Sequence, residues 1–276
     1  KKNPGSKKSK NYFKNKAEGK LKDDTTSFVS KQKPSLLPSN WDQKKRNIVY
    51  FTSSQDEYAA LGGEYDQLIY KDQFDSIKKI TDSIKREKND NIIFWIKCHP
   101  NSKNIFWNYH QKIYNLNDPK NNVFVIKSNS KISTYKVIRN CEKVITFNSL
   151  VGIESVYWKK PSIVIGRRVY EKLGCIYKPK SHKKVMQLVF DKNLKPKSIL
   201  GAYKFSNHWA EGGIKLKYLS GSIRDKISFK FKNTNFNYGF FDLILYAFEK
   251  FKQIYLYNYL ISFKLKSLFK IKKKSI

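Results

Sequence analysis

The sequence predicts an α/β protein, a doubly wound parallel sheet covered by helices on both faces. Three observations carry that reading. Between about residues 46 and 200, short apolar runs alternate with longer stretches of helical period. The runs are four to six residues long and rich in Val, Ile and aromatic residues. They are apolar throughout, as in strands covered on both faces, whereas a half-exposed strand alternates apolar with polar residues.

Taken in order, Ile48–Phe51 reads as the first strand and Asp72–Arg86 as a helix, with Phe74, Ile77, Ile80 and Ile84 on one face. Ile92–Lys97 is the second strand, Asn104–Tyr114 a helix, Val123–Lys127 the third strand and Thr134–Asn140 a short helix. Val144–Phe147, Ser149–Trp158 and Ser162–Ile165 complete the pattern as strand, helix and strand. Beyond Pro196 the signal weakens. Ser198–Trp209 is expected to close the domain as a helix, with Gly212 and Gly213 as its stop signal.

The flanks have a different texture. Residues 1–45 are rich in Lys, Ser, Asn and Pro without a sustained apolar period, and are expected to be a basic flexible arm or linker. Residues 46–218 form the α/β domain, and residues 219–276 are expected to be a basic, aromatic, helical tail. The longest uncharged run of that tail, Gln253–Phe263, is well short of the roughly 20 apolar residues that a bilayer crossing needs. An amphipathic helix in the membrane interface, or one docked on another part of the protein, fits its composition. The chain begins at Lys1 and its only methionine is Met186, which reads as a fragment or a trimmed product.

Charge narrows the function classes. The 276 residues hold 56 Lys and Arg against 22 Asp and Glu, a net charge of +34, with 40% hydrophobic and 15% aromatic residues. Such a chain is too aromatic for a disordered basic tail. The ends are the most basic: residues 1–46 hold 14 basic and 4 acidic groups, and residues 215–276 hold 14 and 3. Of the 56 basic residues 50 are Lys, whereas base edges are read mainly by Arg, so no specific nucleic-acid partner is expected. An anionic membrane surface is the better partner for the ends, and part of the excess fits a general enrichment in Lys, Asn and Ile at tolerant surface positions. Cys98, Cys141 and Cys175 form an odd set with no CxxC spacing, as expected of reduced thiols in the cytoplasm. The N-terminus is charged but has no apolar segment of a secretory signal.

In an open parallel sheet, ligands bind where strands end and helices begin. The first such loop is Thr52-Ser53-Ser54-Gln55-Asp56-Glu57. Ser54 and Glu57 fit a capping box. The same loop would offer the Ser53 and Ser54 hydroxyls to a ligand, with Asp56 or Glu57 as a base. The second loop holds His99-Pro100 after a buried strand, where the proline delays helix entry and the imidazole would protonate or contact a leaving phosphate. In the third, Asn148-Ser149 leads from strand into helix, with Gly152 in the first turn and Glu154 beyond it. That reads as an anion site with a carboxylate placed for ribose hydroxyls, or as an ordinary N-cap with a solvated glutamate. Arg167-Arg168 would meet a phosphate or stay solvated. His110, His182 and His208 lack metal-ligand spacing, no GxGxxG, Walker or GxSxG motif occurs, and no metal or other cofactor is expected.

The order of these motifs carries a resemblance. The run FTSSQDE over residues 51–57, His99-Pro100, Ser133-Thr134-Tyr135, VITFNSLVGIE over 144–154 and KPSIVIG over 160–166 resemble the capsule polysaccharide biosynthesis family over roughly residues 46–218. The resemblance implies a glycosyltransferase of two-domain GT-B architecture, of which this chain would be the C-terminal, nucleotide-sugar-binding half. Some members of the family transfer Kdo from its CMP-activated form. It further implies that His99 contacts the nucleotide phosphate and assists its departure, that Asn148 and Ser149 bind phosphate, and that Glu154 meets the nucleotide. Asn148-Ser149 differs from the pair of hydroxyl residues often seen there. An N-terminal half with the acceptor site is not recognisable in this chain.

The sequence thus leads to a glycosyltransferase for capsule or surface polysaccharide, using a nucleotide-activated and most simply CMP-linked donor. Its acceptor would be a glycan or glycolipid, and its place the inner face of the cytoplasmic membrane. The alternative is a non-catalytic, membrane-peripheral module that binds nucleotide or lipid on the same fold.

Overall fold

Five apolar runs become strands: β1 (Arg46–Phe51), β2 (Ile92–Lys97), β3 (Val123–Ile126), β4 (Lys143–Thr146) and β5 (Ser162–Val164). The computed structural model describes residues 7–21, 28–54, 69–100, 102, 108–211, 219–222, 228–231 and 234–237. The chain divides into two units, Lys1–Gly213 and Ile214–Ile276. In the first unit the five strands form one parallel sheet in the order β3-β2-β1-β4-β5, the doubly wound arrangement that the sequence predicts. The order reverses between β1 and β4, where ligands of open α/β sheets bind.

Seven α-helices are described in this unit: α1 (Lys7–Ala17), α2 (Gln73–Glu87), α3 (Asn108–Tyr114), α4 (Thr134–Asn140), α5 (Val151–Tyr157), α6 (His182–Phe190) and α7 (Leu200–Glu211). Their starts follow local chemistry. Asp72 accepts from the Asp75 amide at 2.7 Å ahead of α2, while Ser133 and Ser181 do the same ahead of α4 and α6 at 3.2 Å each. Alternate strand residues then serve opposite layers. Ile48, Tyr50, Phe94 and Ile96 pack with Ile77 and Ile80 of α2 and Val185 and Val189 of α6. Val49, Phe51, Ile93 and Trp95 face the other way, with Val137 and Ile138 of α4.

Helix α6 has no counterpart in the sequence reading, because Lys183 and Lys184 interrupt its apolar period. The sheet explains it. Lys143, wholly buried at the start of β4, donates to the carbonyls of Leu188 (3.0 Å), Val189 (2.9 Å) and Asp191, and Arg46 of β1 donates to that of Phe190 (3.2 Å). Cations thus complete the C-terminal end of α6, where the helix leaves carbonyls without partners. Arg46 is itself held by Glu142 through two bonds of 2.8 Å. Burial pushes the Lys143 ammonium below its usual range, against the pull of Glu142.

The N-terminal arm is the main departure from expectation. Instead of a flexible stretch over residues 1–45, residues 7–17 form α1, and its face of Ser9, Tyr12, Phe13 and Lys16 is buried. Phe13 stacks on Phe205 of α7 (6.3 Å between centroids) and touches Tyr157 of α5 (5.4 Å), and the Ser206 hydroxyl donates to the Ser9 carbonyl at 2.8 Å. Further along, Lys33 forms a parallel bridge with Ile132, and Trp41 stacks on Trp95 of β2 at 5.3 Å. With only two aromatic residues beside a serine and one lysine on its buried face, α1 carries too weak an apolar period to be read from sequence.

In the second unit, β6 (Leu219–Ser222), β7 (Ser228–Phe231) and β8 (Thr234–Asn237) form an antiparallel sheet in that order. The expectation of a helical tail starting at residue 219 is therefore corrected for residues 219–222, 228–231 and 234–237. The run Ser228-Phe229-Lys230-Phe231 alternates with period two, which suits a strand. The expected interfacial segment beyond Asn237 lies outside the described residues, as does the Gly212-Gly213 stop signal. Among the described residues no helix is long and apolar enough to cross a membrane.

The docking of α1 is testable. Phe13→Ala is expected to lower the unfolding free energy by about 3–5 kcal/mol in urea titrations. A change under about 0.5 kcal/mol would mean that the segment is solvated.

Candidate functional site

At the carboxyl ends of β1, β2 and β4 the loops part around a cavity of about 340 Å³. This lies at the low end of the roughly 300–1,000 Å³ typical of small-molecule sites. Three sequence-predicted loops meet there, and hydrogen bonds between them set their geometry. After β1, the Thr52 hydroxyl accepts from the His99 amide at 2.9 Å. The Ser53 hydroxyl accepts from the Asn148 amide at 3.1 Å. Gln73, buried at the start of α2, accepts from the Ser53 amide at 2.6 Å and donates to the Ser53 carbonyl at 3.2 Å. One short loop therefore positions the other two.

Of the predicted residues, Ser53, His99, Pro100, Asn148, Ser149 and Glu154 line the cavity. His99 also meets the Phe28 ring edge-on at 5.7 Å. Asn148 is 2% exposed, and both atoms of its carboxamide lack a partner among the described residues. The Ser149 hydroxyl accepts from the Val151 amide at 3.2 Å, and its carbonyl accepts from the buried Tyr170 hydroxyl.

Ser54 and Gly152 are placed elsewhere. Ser54 is fully buried beneath the loop and is not a lining residue. Gly152 sits inside α5, where a β-carbon would collide with the Tyr170 hydroxyl and with Thr146; its role is close packing of helix on sheet. Gly166 likewise lets the chain leaving β5 pass the Asn148 side chain. Asp56 and Glu57, the expected bases, lie outside the described residues.

Glu154 is not the solvated carboxylate of an ordinary helix start. Its Oε1 accepts from Lys16 Nζ of α1 at 2.8 Å, with the two side chains 5% and 7% exposed. Sequence reasoning missed this pair because its members are 138 positions apart. Lys97, at the end of β2, was also missed, although a charged residue closing a fully apolar strand is a legible signal. It is 4% exposed and donates to the Ile132 carbonyl at 3.3 Å. Burial lowers its pKa from 10.5 to about 8. The neighbouring Cys98 thiol is pushed up to about 12 by the same burial, which makes it a packing residue and not a nucleophile. Arg168 lines the cavity as well, and its buried Nε lacks a partner among the described residues, whereas Arg167 faces Glu171 at 3.8 Å.

The described cavity walls thus hold Lys16, Lys97 and Arg168 against the single carboxylate of Glu154. With Lys16 and Glu154 neutralising each other, an excess of positive charge faces the cavity, and an anion there would gain from low dielectric. Among the described residues, no group of three or more His, Cys, Asp or Glu side chains is placed to hold a metal ion.

The sequence profile of the capsule polysaccharide biosynthesis proteins matches residues 30–206. The chain belongs to that family. The match includes all three loops and begins within the segment that carries Gln32, a lining residue. Solved structures show more distant likenesses. The beta Kdo 2,4 transferase of Thermosulfurimonas dismutans KpsC is 12% identical, with a TM-score of 0.39, covering 72% of this chain and 55% of that one. The beta Kdo 2,7 transferase of the same KpsC is 18% identical, with a TM-score of 0.38 and coverages of 78% and 61%. The wall teichoic acid polymerase TagF is 14% identical, with a TM-score of 0.37 and coverages of 72% and 44%. This family member therefore spans about half the length of the solved chains that it matches. No curated protein matches it.

Burial of Lys97 has a consequence for stability. Below pH 8 the ammonium is charged in both states and its burial disfavours folding. Between pH 8 and 10.5 the unfolded chain binds more protons, so this penalty is relieved as pH rises. The Lys97→Met variant is expected to unfold at higher urea than the parent at pH 7, with the gap narrowing from pH 8 to 10.5. A gap independent of pH would contradict the assignment.

Proposed function

We propose that this chain binds a nucleotide-activated sugar in the cavity at the β1/β4 reversal and serves glycosyl transfer in capsule or surface polysaccharide synthesis. The observation that carries the reading is the pairing of uncompensated positive charge, from Lys97 and Arg168, with an unpartnered Asn148 carboxamide in one cavity of a capsule-synthesis family member.

In such a transfer the bond between the anomeric carbon and the phosphate oxygen breaks, and the acceptor oxygen bonds to that carbon. Negative charge grows on the departing phosphate. Lys97 and Arg168 stabilise that charge electrostatically, and His99, held through its amide by Thr52, contacts or protonates the leaving oxygen. Ser149 donates its hydroxyl proton to a phosphate oxygen. Asn148 both donates and accepts, which suits a sugar hydroxyl or the edge of a base better than a phosphate. Glu154 accepts from ribose hydroxyls. Asp56 or Glu57 would deprotonate the acceptor. No metal or other cofactor enters this scheme. A CMP-linked acidic sugar is the donor that the cavity's charge favours, since such a sugar adds a carboxylate to the phosphate.

The basic ends fit work at an anionic membrane surface, where each nearby Lys contributes about 1 kcal/mol. A glycan or glycolipid acceptor would be met there, on the cytoplasmic side.

Calorimetric titration of the chain with CMP, and with UMP and AMP for comparison, tests the reading. CMP is expected to bind, and His99→Ala and Ser149→Ala each to weaken it. The complex needs a charged Lys97, so affinity should fall as pH rises above 8, and Lys97→Met should remove that dependence. No binding of any nucleotide would refute the proposal. Binding without glycosyl transfer, even with an acceptor-binding half supplied, would favour a non-catalytic module.

A further inference from the structure

The Lys16–Glu154 pair gives α1 a part in the site. Three features set it apart from an ordinary surface ion pair. Both side chains are more than nine-tenths buried, both line the cavity, and the cation comes from the first described helix, outside the sheet and its crossovers. The cavity keeps its volume of about 340 Å³ with Lys16 in place, so α1 forms a wall and does not plug the site.

Charge explains why such a wall is needed. A carboxylate as buried as Glu154 is costly without a counter-charge. The other described cations of the cavity are engaged differently: Lys97 donates to the Ile132 carbonyl, and Arg168 stands on the loop after β5. Left without Lys16, the Glu154 carboxylate would repel the phosphate of an incoming nucleotide. With Lys16 bound to Oε1, its charge is balanced, and Oε2 is the oxygen that a ligand hydroxyl would reach.

We propose that Lys16 is a positioning residue for Glu154, so that docking of α1 and occupation of the cavity by nucleotide stabilise one another. This rests on the nucleotide-binding reading given above. Coupling of two such events is reciprocal, and typical couplings change affinity roughly 5- to 150-fold.

The test uses the full chain and CMP as the probe. Four variants are compared with the parent: Lys16→Met, Lys16→Arg, Glu154→Gln and the double variant Lys16→Met/Glu154→Gln, each checked for folding by circular dichroism. Lys16→Met is expected to weaken CMP binding by roughly 5- to 150-fold, and Lys16→Arg to restore most of it. The double variant should bind no more weakly than Glu154→Gln alone, because Lys16 acts through Glu154. In hydrogen exchange, CMP should slow exchange of the α1 amides over residues 7–17 in the parent and not in Lys16→Met.

Unchanged CMP affinity in Lys16→Met, additive losses in the double variant, or α1 exchange indifferent to CMP would each overturn the inference while leaving nucleotide binding intact. Failure of the parent to bind any nucleotide would overturn both. Should Lys16→Met not fold, Lys16→Arg, the double variant and the parent's exchange response decide the matter by the same criteria.

Discussion

The bond from the Asn148 amide to the Ser53 hydroxyl crosses the point where the sheet reverses its strand order, and the site depends on it. At a reversal, the chains leaving β1 and β4 turn to opposite faces, which opens a crevice and also removes the sheet hydrogen bonds that would hold its rims. Side-chain oxygens take over. Ser53 holds the β4 loop, Thr52 holds the β2 loop, and Gln73 anchors Ser53 by accepting from its amide and donating to its carbonyl. The Ser53 hydroxyl, expected as a ligand contact, serves with that of Thr52 as a structural acceptor, and each retains its proton and one lone pair. The placement of His99 and Asn148 is a consequence of the pair Thr52-Ser53.

Buried charge is treated differently at the two ends of the sheet. At the amino end, Lys143 and Arg46 are met by backbone carbonyls of α6 and by Glu142. Burial there costs solvation and returns it as hydrogen bonds that cap a helix. At the carboxyl end, Lys97 has one long bond to a carbonyl, and the Nε of Arg168 has none described. Apart from the paired Lys16 and Glu154, the carboxyl-end cations are therefore less fully met by the described residues than those at the amino end. The contrast between the two ends of one sheet separates cations that the protein satisfies from those that it does not more clearly than total charge does.

How much of this is visible in the sequence depends on the range of the interaction. The five strands were legible because each is a continuous apolar run, and α2 because Ile77, Ile80 and Ile84 repeat at helical spacing. The three loops were legible because a parallel sheet places its ligand at strand ends, a rule that needs only the order of elements. What escaped depends on partners distant in sequence. Gln73 looks like any first-turn residue until Ser53 is set against it. Lys16 sits in a lysine-rich stretch with nothing local to mark it, and its meaning comes from Glu154 alone. Gly152 was legible as a small residue in a first turn but not as a packing requirement, since Tyr170 approaches from another part of the chain.

The N-terminal segment shows why composition misleads for such chains. In a protein with 50 lysines, a stretch of Lys, Asn and Ser carries little information about order, because lysine occupies solvated and buried positions alike. Helix α1 is held against α7 by Phe13 and by the Ser206 hydroxyl on the Ser9 carbonyl, with Tyr12 in the same cluster, while Lys16 reaches an acid. Order there is a property of the surface offered by α5 and α7, and not of the segment. The Lys16–Glu154 pair then ties this arm to the cavity wall and balances the carboxylate there. For that reason the net charge of +34 is a poor guide to function, whereas the burial of two or three of its members is a good one.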